Sequence, residues 1–121
     1  MAMSRSELGQ FGEKVAERML ARKRYHILAR NWRTKGGELD LVVRRHDTLV
    51  FVEVKTRRAG GPYRPEEAVN WTKMGRVRKA AAAFWAQSRY PLGTYAQFDV
   101  VSVTVDQSDR VLEVRHIEDA F

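Results

Sequence analysis

The sequence predicts a mixed α/β fold, a central sheet flanked by helices in the order α-β-β-β-α-β-β. Three observations predict it. Leu8, Phe11, Gly12, Val15, Ala16 and Met19 recur at the helical period between Ser6 and Arg24. Two segments rich in Val, Leu and Phe, Glu38–Arg44 and Leu49–Thr56, are parted by a short polar turn. A long helical stretch, Glu66–Ser88, then separates that pair from two more strand-like segments, Ala96–Val105 and Val111–Ile117.

The remaining elements follow in chain order. Tyr25–Trp32 (YHILARNW) reads as a short strand, and Thr34–Gly37 (TKGG) as a turn. Arg57–Pro65 contains two glycines and two prolines and reads as a loop. Pro65-Glu66-Glu67 opens the second helix with acids suited to its positive end, and Tyr90-Pro91-Leu92-Gly93 stops it. Gln107-Ser108-Asp109 turns the chain between the last two strands.

A length of 121 residues is that of one domain. With 44% hydrophobic and 31% charged residues, the chain has the composition of a folded protein. No apolar run approaches the ~20 residues needed to span a bilayer. The first residues, MAMSRSELGQ, lack a secretory leader's apolar stretch. The expectation is a cytoplasmic protein with no membrane partner. The absence of cysteine excludes disulfides, thiol catalysis and cysteine zinc sites.

The net charge of +7 is unevenly distributed. Residues 96–121 hold two basic and six acidic residues, a net −4, which leaves +11 on residues 1–95. Seven basic residues and no acid lie between Arg18 and Lys35, ends included. Such a concentration suits a polyanionic partner and equally suits charge that serves only solubility.

A hairpin centred on His46-Asp47 pairs residues whose numbers sum to 93. Leu39 then opposes Val54, Leu41 opposes Val52 and Val43 opposes Val50, all apolar, so this face belongs in the core. The other face sets Asp40 against Glu53, beside Glu38 and Lys55. Two carboxylates about 5 Å apart repel by ~3 kcal/mol at an effective dielectric near 20. A shared proton, a cation or Lys55 must relieve this. Oxygen ligands of this kind suit Mg²⁺ or Mn²⁺; the plainer reading is a solvated face of ion pairs. Against the plainer reading, Glu53 interrupts the apolar run LVFVEVK, where a core strand favours Val or Ile.

Glu13 and Glu17 lie roughly opposite the apolar stripe of the first helix, where surface glutamates are ordinary. Asp99, in QFDVVSV, either orients Lys55 or Lys73 or caps the sheet edge. Trp32 and Trp71 are read as core or interface residues in preference to base-stacking platforms. His26, His46 and His116 have no ligand spacing and are given no role.

Asp40 followed by Glu53-Val54-Lys55 on the next strand resembles the PD-(D/E)xK nuclease core. More closely, the chain resembles the YraN-like family, small bacterial proteins related to archaeal Holliday-junction resolvases. The likeness runs from Gly9 to Phe121 through GQFGEKVAERML, ILARNWRTKGGELDLV, FVEVKTR, AVNWTK with Lys73, FDVV and the ending HIEDAF. Leu39 stands where the motif's name has proline. The resemblance implies a restriction-endonuclease-like fold and a metal-dependent endonuclease acting on DNA, with RNA also open as a partner. It implies that Asp40, Glu53, Glu13 and the Val54 carbonyl hold Mg²⁺ or Mn²⁺ and that Lys55 assists the nucleophile. Glu38 matches the family's GE-x-D segment.

On that reading Arg57, Arg58 and Arg64, on the loop after the hairpin, clamp the nucleic-acid backbone. Lys73, Arg76, Arg78 and Lys79 extend a basic face along the second helix, and Glu38, Asp99 and Glu17 support the site from behind. A homodimer would suit two-strand cleavage at a junction. The alternative is a nucleic-acid-binding module that keeps the fold without catalysis.

Overall fold

A computed structural model of the chain describes residues 2–60, 71–89 and 94–121. The element order is α1 (Arg5–Arg22), β1 (His26–Thr34), β2 (Gly37–Arg45), β3 (Thr48–Arg58), α2 (Trp71–Ser88), β4 (Tyr95–Val105) and β5 (Val111–Ile117). This is the expected order, with most bounds moved by one or two residues. The expected start of the second helix at Glu66, its Pro91 stop and most of the glycine-rich loop lie outside the described residues. Among the described residues, no helix is long and apolar enough to cross a membrane.

Helix α1 begins where Ser4 and Glu7 cap each other. The Glu7 N–H donates to Ser4 Oγ at 3.2 Å and the Ser4 N–H donates to Glu7 Oε1 at 2.9 Å, satisfying two otherwise orphaned donors. The strands form one sheet in the order β1-β2-β3-β4-β5. Neighbours are antiparallel except β3 and β4, which are parallel. A parallel pair requires a long crossover, and α2 lies within it. The helices cover opposite faces. Ala16 and Leu20 of α1 pack on Leu41, Val43, Val50, Val52, Val101, Val103 and Val105. Val77, Ala80, Ala81 and Phe84 of α2 pack on Leu39, Val42, Leu49 and Phe51.

The hairpin register is the expected one: every pair from Leu41–Val52 to Arg45–Thr48 sums to 93. His46 turns the chain in the left-handed region, with φ +55°. One part of the expected pattern fails. Leu39 does not join Leu41 and Val43 under α1; it joins Val42 under α2. Across the β1–β2 ladder, Ala29 and Trp32 also reach the α2 side together. Residues three apart therefore share a face on both strands, and the two-residue alternation breaks between them. On β1 the break contains Asn31, whose φ of +46° turns the strand out of extended geometry. On β2 it contains Asp40.

Two glycines set how closely the helices approach. A Cβ on Gly12 would lie 1.7 Å from Thr56 Oγ1, so α1 touches β3 just beyond Lys55. A Cβ on Gly37 would lie 2.5 Å from the Arg76 carbonyl oxygen, so α2 rests against the start of β2. Gly12→Ala is expected to destabilise the protein by about 1–3 kcal/mol, the usual penalty of overpacking. Denaturant melts should show part of that loss recovered in Gly12→Ala/Thr56→Ala, where the clashing hydroxyl is gone.

Candidate active site

The regular β2–β3 ladder ends at Leu41–Val52. Beyond it the Asp40 side chain takes the ladder's place, Oδ2 accepting the Val54 N–H at 2.9 Å. Asp40 thus reaches into the gap between the strands, where the alternating pattern alone would set it squarely on a sheet face opposite Glu53. On one residue of a strand the N–H and C=O point to the same side, so the Val54 carbonyl also faces this gap.

Glu53 is only 4% exposed. Burying a carboxylate so completely requires compensation, and two lysines supply it. Lys55 Nζ lies 3.5 Å from Glu53 Oε1, and Lys73 Nζ, arriving from α2, forms a second ion pair with the same oxygen. Glu38, Asp40, Glu53, Thr72, Lys73, Arg76 and Val77 line one cavity of about 600 Å³. Glu13 comes from the other side of the sheet. It follows Gly12, so the close α1–β3 approach holds it within the fields of Glu38 and Glu53.

These neighbours perturb one another. Burial and then the Glu53 and Glu13 charges push the Asp40 carboxyl up to about 7, against the opposing pull of the Val54 N–H and Lys73. Burial, then the charges of Glu38 and Glu53, also raise Glu13. Lys55 is lowered by burial and by the adjacent Lys73. Burial is the largest single influence on Lys73 and lowers it, but its contacts with Glu53 and Lys55 and the charge of Asp40 together outweigh this and raise it. Burial is the largest influence on each of the four groups, and repulsion from neighbouring carboxylates adds to it on Asp40 and Glu13.

The convergence is not a closed ligand set. Among the described residues, the single group of three acid or histidine ligand atoms within 4.8 Å of one another is Asp99, His116 and Glu118, and not Glu13, Asp40 and Glu53. Asp99 accordingly needs correction. It neither orients a lysine nor caps an edge. Fully buried on the α1 face, it accepts from His116 Nε2 at 2.7 Å, Gln97 Nε2 at 2.9 Å and the Asp119 N–H at 2.9 Å. Its burial raises the carboxyl less than these bonds lower it. With the Tyr25 hydroxyl donating to Glu118 and the Ala120 N–H donating to the Phe98 carbonyl, Asp99 latches the chain's last residues to β4. The histidine role was missed because its partner is 17 positions away. The acid in QFDVV and the ending HIEDAF were the only traces in the sequence.

Other expected residues divide. Arg76 lines the cavity. Glu17 is gripped through both carboxylate oxygens by Arg30 and supports α1 against β1, not the acid cluster. Arg58 does not face a clamped backbone. Its guanidinium holds Asp109 and the carbonyls of Asp106 and Met3, tying the N-terminus to the β4–β5 turn. Arg57 is half-buried, and its Nε has no hydrogen-bond partner among the described residues. Arg64 lies outside the described residues. Trp32 is a core residue, meeting Phe84 edge-on at 5.4 Å. Trp71 is 85% exposed beside Thr72 and Lys73, so it lies outside the core.

Residues 12–103 match the model of the uncharacterised protein family UPF0102. The chain belongs to that family. A UPF0102 protein of Geobacter metallireducens is 43% identical over 121 residues, covering all of this chain and 97% of the relative. One of Syntrophomonas wolfei is 45% identical over 115 residues, covering 95% and 97%. One of Roseiflexus castenholzii is 40% identical over 117 residues, covering 97% and 94%. The UPF0102 match spans Glu13, Asp40, Glu53, Lys55 and Lys73, and ends before the His116 latch.

The raised Asp40 carboxyl predicts a pH signature. Its stabilising contribution is complete below the unfolded value near 3.8 and is lost as pH rises through about 7. Metal-free protein should therefore lose stability across this window. Asp40→Asn, whose Oδ1 can still accept the Val54 N–H, should flatten the decline. Denaturation midpoints from pH 4 to 8, in steps of about one unit, measure both.

Proposed function

We propose that this UPF0102 chain is a divalent-metal-dependent endonuclease of the PD-(D/E)xK superfamily that hydrolyses DNA phosphodiesters, with branched or junction DNA as its substrate class. The observation that carries the reading is the meeting of Asp40, from β2, with Glu53 and Lys55, from β3, around a cavity with a basic wall. The donor set fits a hard cation. It is all oxygen, it combines carboxylates with a backbone carbonyl, and burial followed by repulsion from neighbouring carboxylates raises two of its members. Asp40, Glu53 and the Val54 carbonyl would hold Mg²⁺ or Mn²⁺, with Glu13 completing the set. The ion would polarise a phosphate oxygen and lower the pKa of a bound water.

The chain's own groups supply the rest. Asp40 must shed its proton before it can serve as a ligand, so ion binding strengthens as pH rises through about 7. Lys55, half-buried and held 3.5 Å from Glu53, orients the attacking water and faces the negative charge that builds on the phosphoryl oxygens. Arg76 supplies a cationic wall against which the neighbouring backbone rests. Cytoplasmic DNA would be the setting, and a symmetric pair of chains would cut two strands.

A second reading has one observation in its favour. Lys73 already pairs with Glu53, so the charge of that buried carboxylate is offset without an added ion. A module that binds nucleic acid without cutting it would look the same.

The test is a cleavage screen with Mg²⁺ and Mn²⁺ on duplex, flap, junction and single-stranded DNA, with matching RNA. Asp40→Asn and Glu53→Gln should each reduce cleavage by at least about 100-fold while the protein stays folded. Titration calorimetry with Mn²⁺ should show heat that Asp40→Asn abolishes. Absence of both cleavage and heat removes the nuclease reading and leaves the binding module.

A further inference from the structure

A second hollow lies beside the acid cavity. This hollow, of about 480 Å³, is lined by Arg33, Thr34, Gly36, Gly37, Glu38 and Arg76. Glu38 and Arg76 belong to both, so the two hollows adjoin across these side chains. The second hollow has a built geometry. Gly36 turns β1 into β2 at φ +88°, and Gly37 then passes so close beneath α2 that a Cβ would strike the Arg76 carbonyl. That approach brings the Arg76 turn of α2 against the β1–β2 turn, and the two arginines face one hollow from separate elements.

Arg33 is charged and available. Its side chain is 77% exposed, and its contact with Glu38 is a loose 3.5 Å, with Glu38 itself 45% exposed. An ion pair this exposed contributes little, so Glu38 steers Arg33 without satisfying it. Arg76 is exposed, and Lys35 stands exposed at the tip of the turn. Two guanidinium groups around a groove floored by a glycine turn match the planar, charge-assisted recognition of a phosphodiester.

We propose that the hollow between the Lys35–Gly36 turn and α2 is a backbone-phosphate subsite, held by Arg33 and Arg76, that carries a nucleic-acid strand away from the acid cavity across the β1–β2 turn. The proposal rests on the neighbouring cavity being a nucleic-acid site, but not on that cavity's catalysing anything. It assigns a binding role to a β1 arginine and gives the bound strand a direction.

Binding of a fluorescein-labelled single-stranded DNA oligonucleotide to the full chain, measured by anisotropy in EDTA across a NaCl series, tests it. Arg33→Ala and Arg76→Ala should each weaken binding by about tenfold and reduce the salt slope by about one. Arg33→Lys should keep the slope while losing affinity. Glu38→Gln, which releases Arg33, should tighten binding. Arg115→Ala, on the exposed β5 edge, should change neither quantity. Unchanged affinity and slope in Arg33→Ala and Arg76→Ala, or equal losses in Arg115→Ala, would overturn the subsite, as would absence of binding by the unaltered chain. The pattern in EDTA without any metal-dependent cleavage would sustain the subsite and sink the nuclease reading; metal-dependent cleavage with binding and cleavage both untouched by Arg33→Ala would do the reverse.

Discussion

The arrangement depends on carboxylates held out of water where β2 and β3 part. A β-hairpin normally continues its ladder until a turn or an edge ends it. Here Asp40 ends it from within, by accepting the Val54 N–H with its own carboxylate. The exchange opens a gap between two strands that stay packed elsewhere, and the buried Glu53 stands beside that gap. Two carboxylates in so small a volume are unfavourable unless cations or protons attend them. Lys55, Lys73 and the upward shift of Asp40 are the protein's own responses.

Much of the surrounding fold serves to hold these groups together. The small side of α1 at Gly12 lets the helix settle onto Thr56, and the next residue, Glu13, joins the field of the cluster. The small residue at Gly37 lets α2 settle onto β2, and Lys73 reaches Glu53 from that helix. Two close helix–strand contacts on opposite faces thus bring Glu13 and Lys73 within the field of Glu53. Elsewhere the ionic contacts have a different purpose. Arg58 fastens the N-terminus to the β4–β5 turn, Arg30 fastens α1 to β1, and Asp99 fastens the chain's end to β4. These are clasps between distant segments, satisfied internally and with little left to offer a ligand.

The contrast between the two acidic clusters separates site from scaffold. Asp99 has partners on both oxygens and a lowered carboxyl. Asp40 has one backbone donor and a raised carboxyl. By ligand spacing alone the Asp99 cluster looks like the better cation site; by electrostatic demand the Asp40 cluster does. A group whose charge is already accommodated gains little from an added ion, whereas a group held short of its charged state gains a great deal.

The sequence by itself determined the element order, the hairpin register from Leu41–Val52 to Arg45–Thr48, and the placing of Asp40 on one strand with Glu53 and Lys55 on the next. Those features follow from local periodicity: apolar residues alternate along β2 and β3, and any other register would expose them. What only the tertiary structure decided was everything that depends on separated segments meeting. Leu39 changed faces because the strand breaks its alternation beside Asn31, and a left-handed asparagine leaves no mark in a hydrophobic pattern. Arg58 became a clasp because Asp109 and Met3 arrive beside it, although nothing near it in the chain is acidic. Glu13 gained its place through a missing Cβ on the residue before it, and His116 through an aspartate on the neighbouring strand. Local pattern specifies which way a side chain starts, but its charge is settled by neighbours that the fold brings from elsewhere.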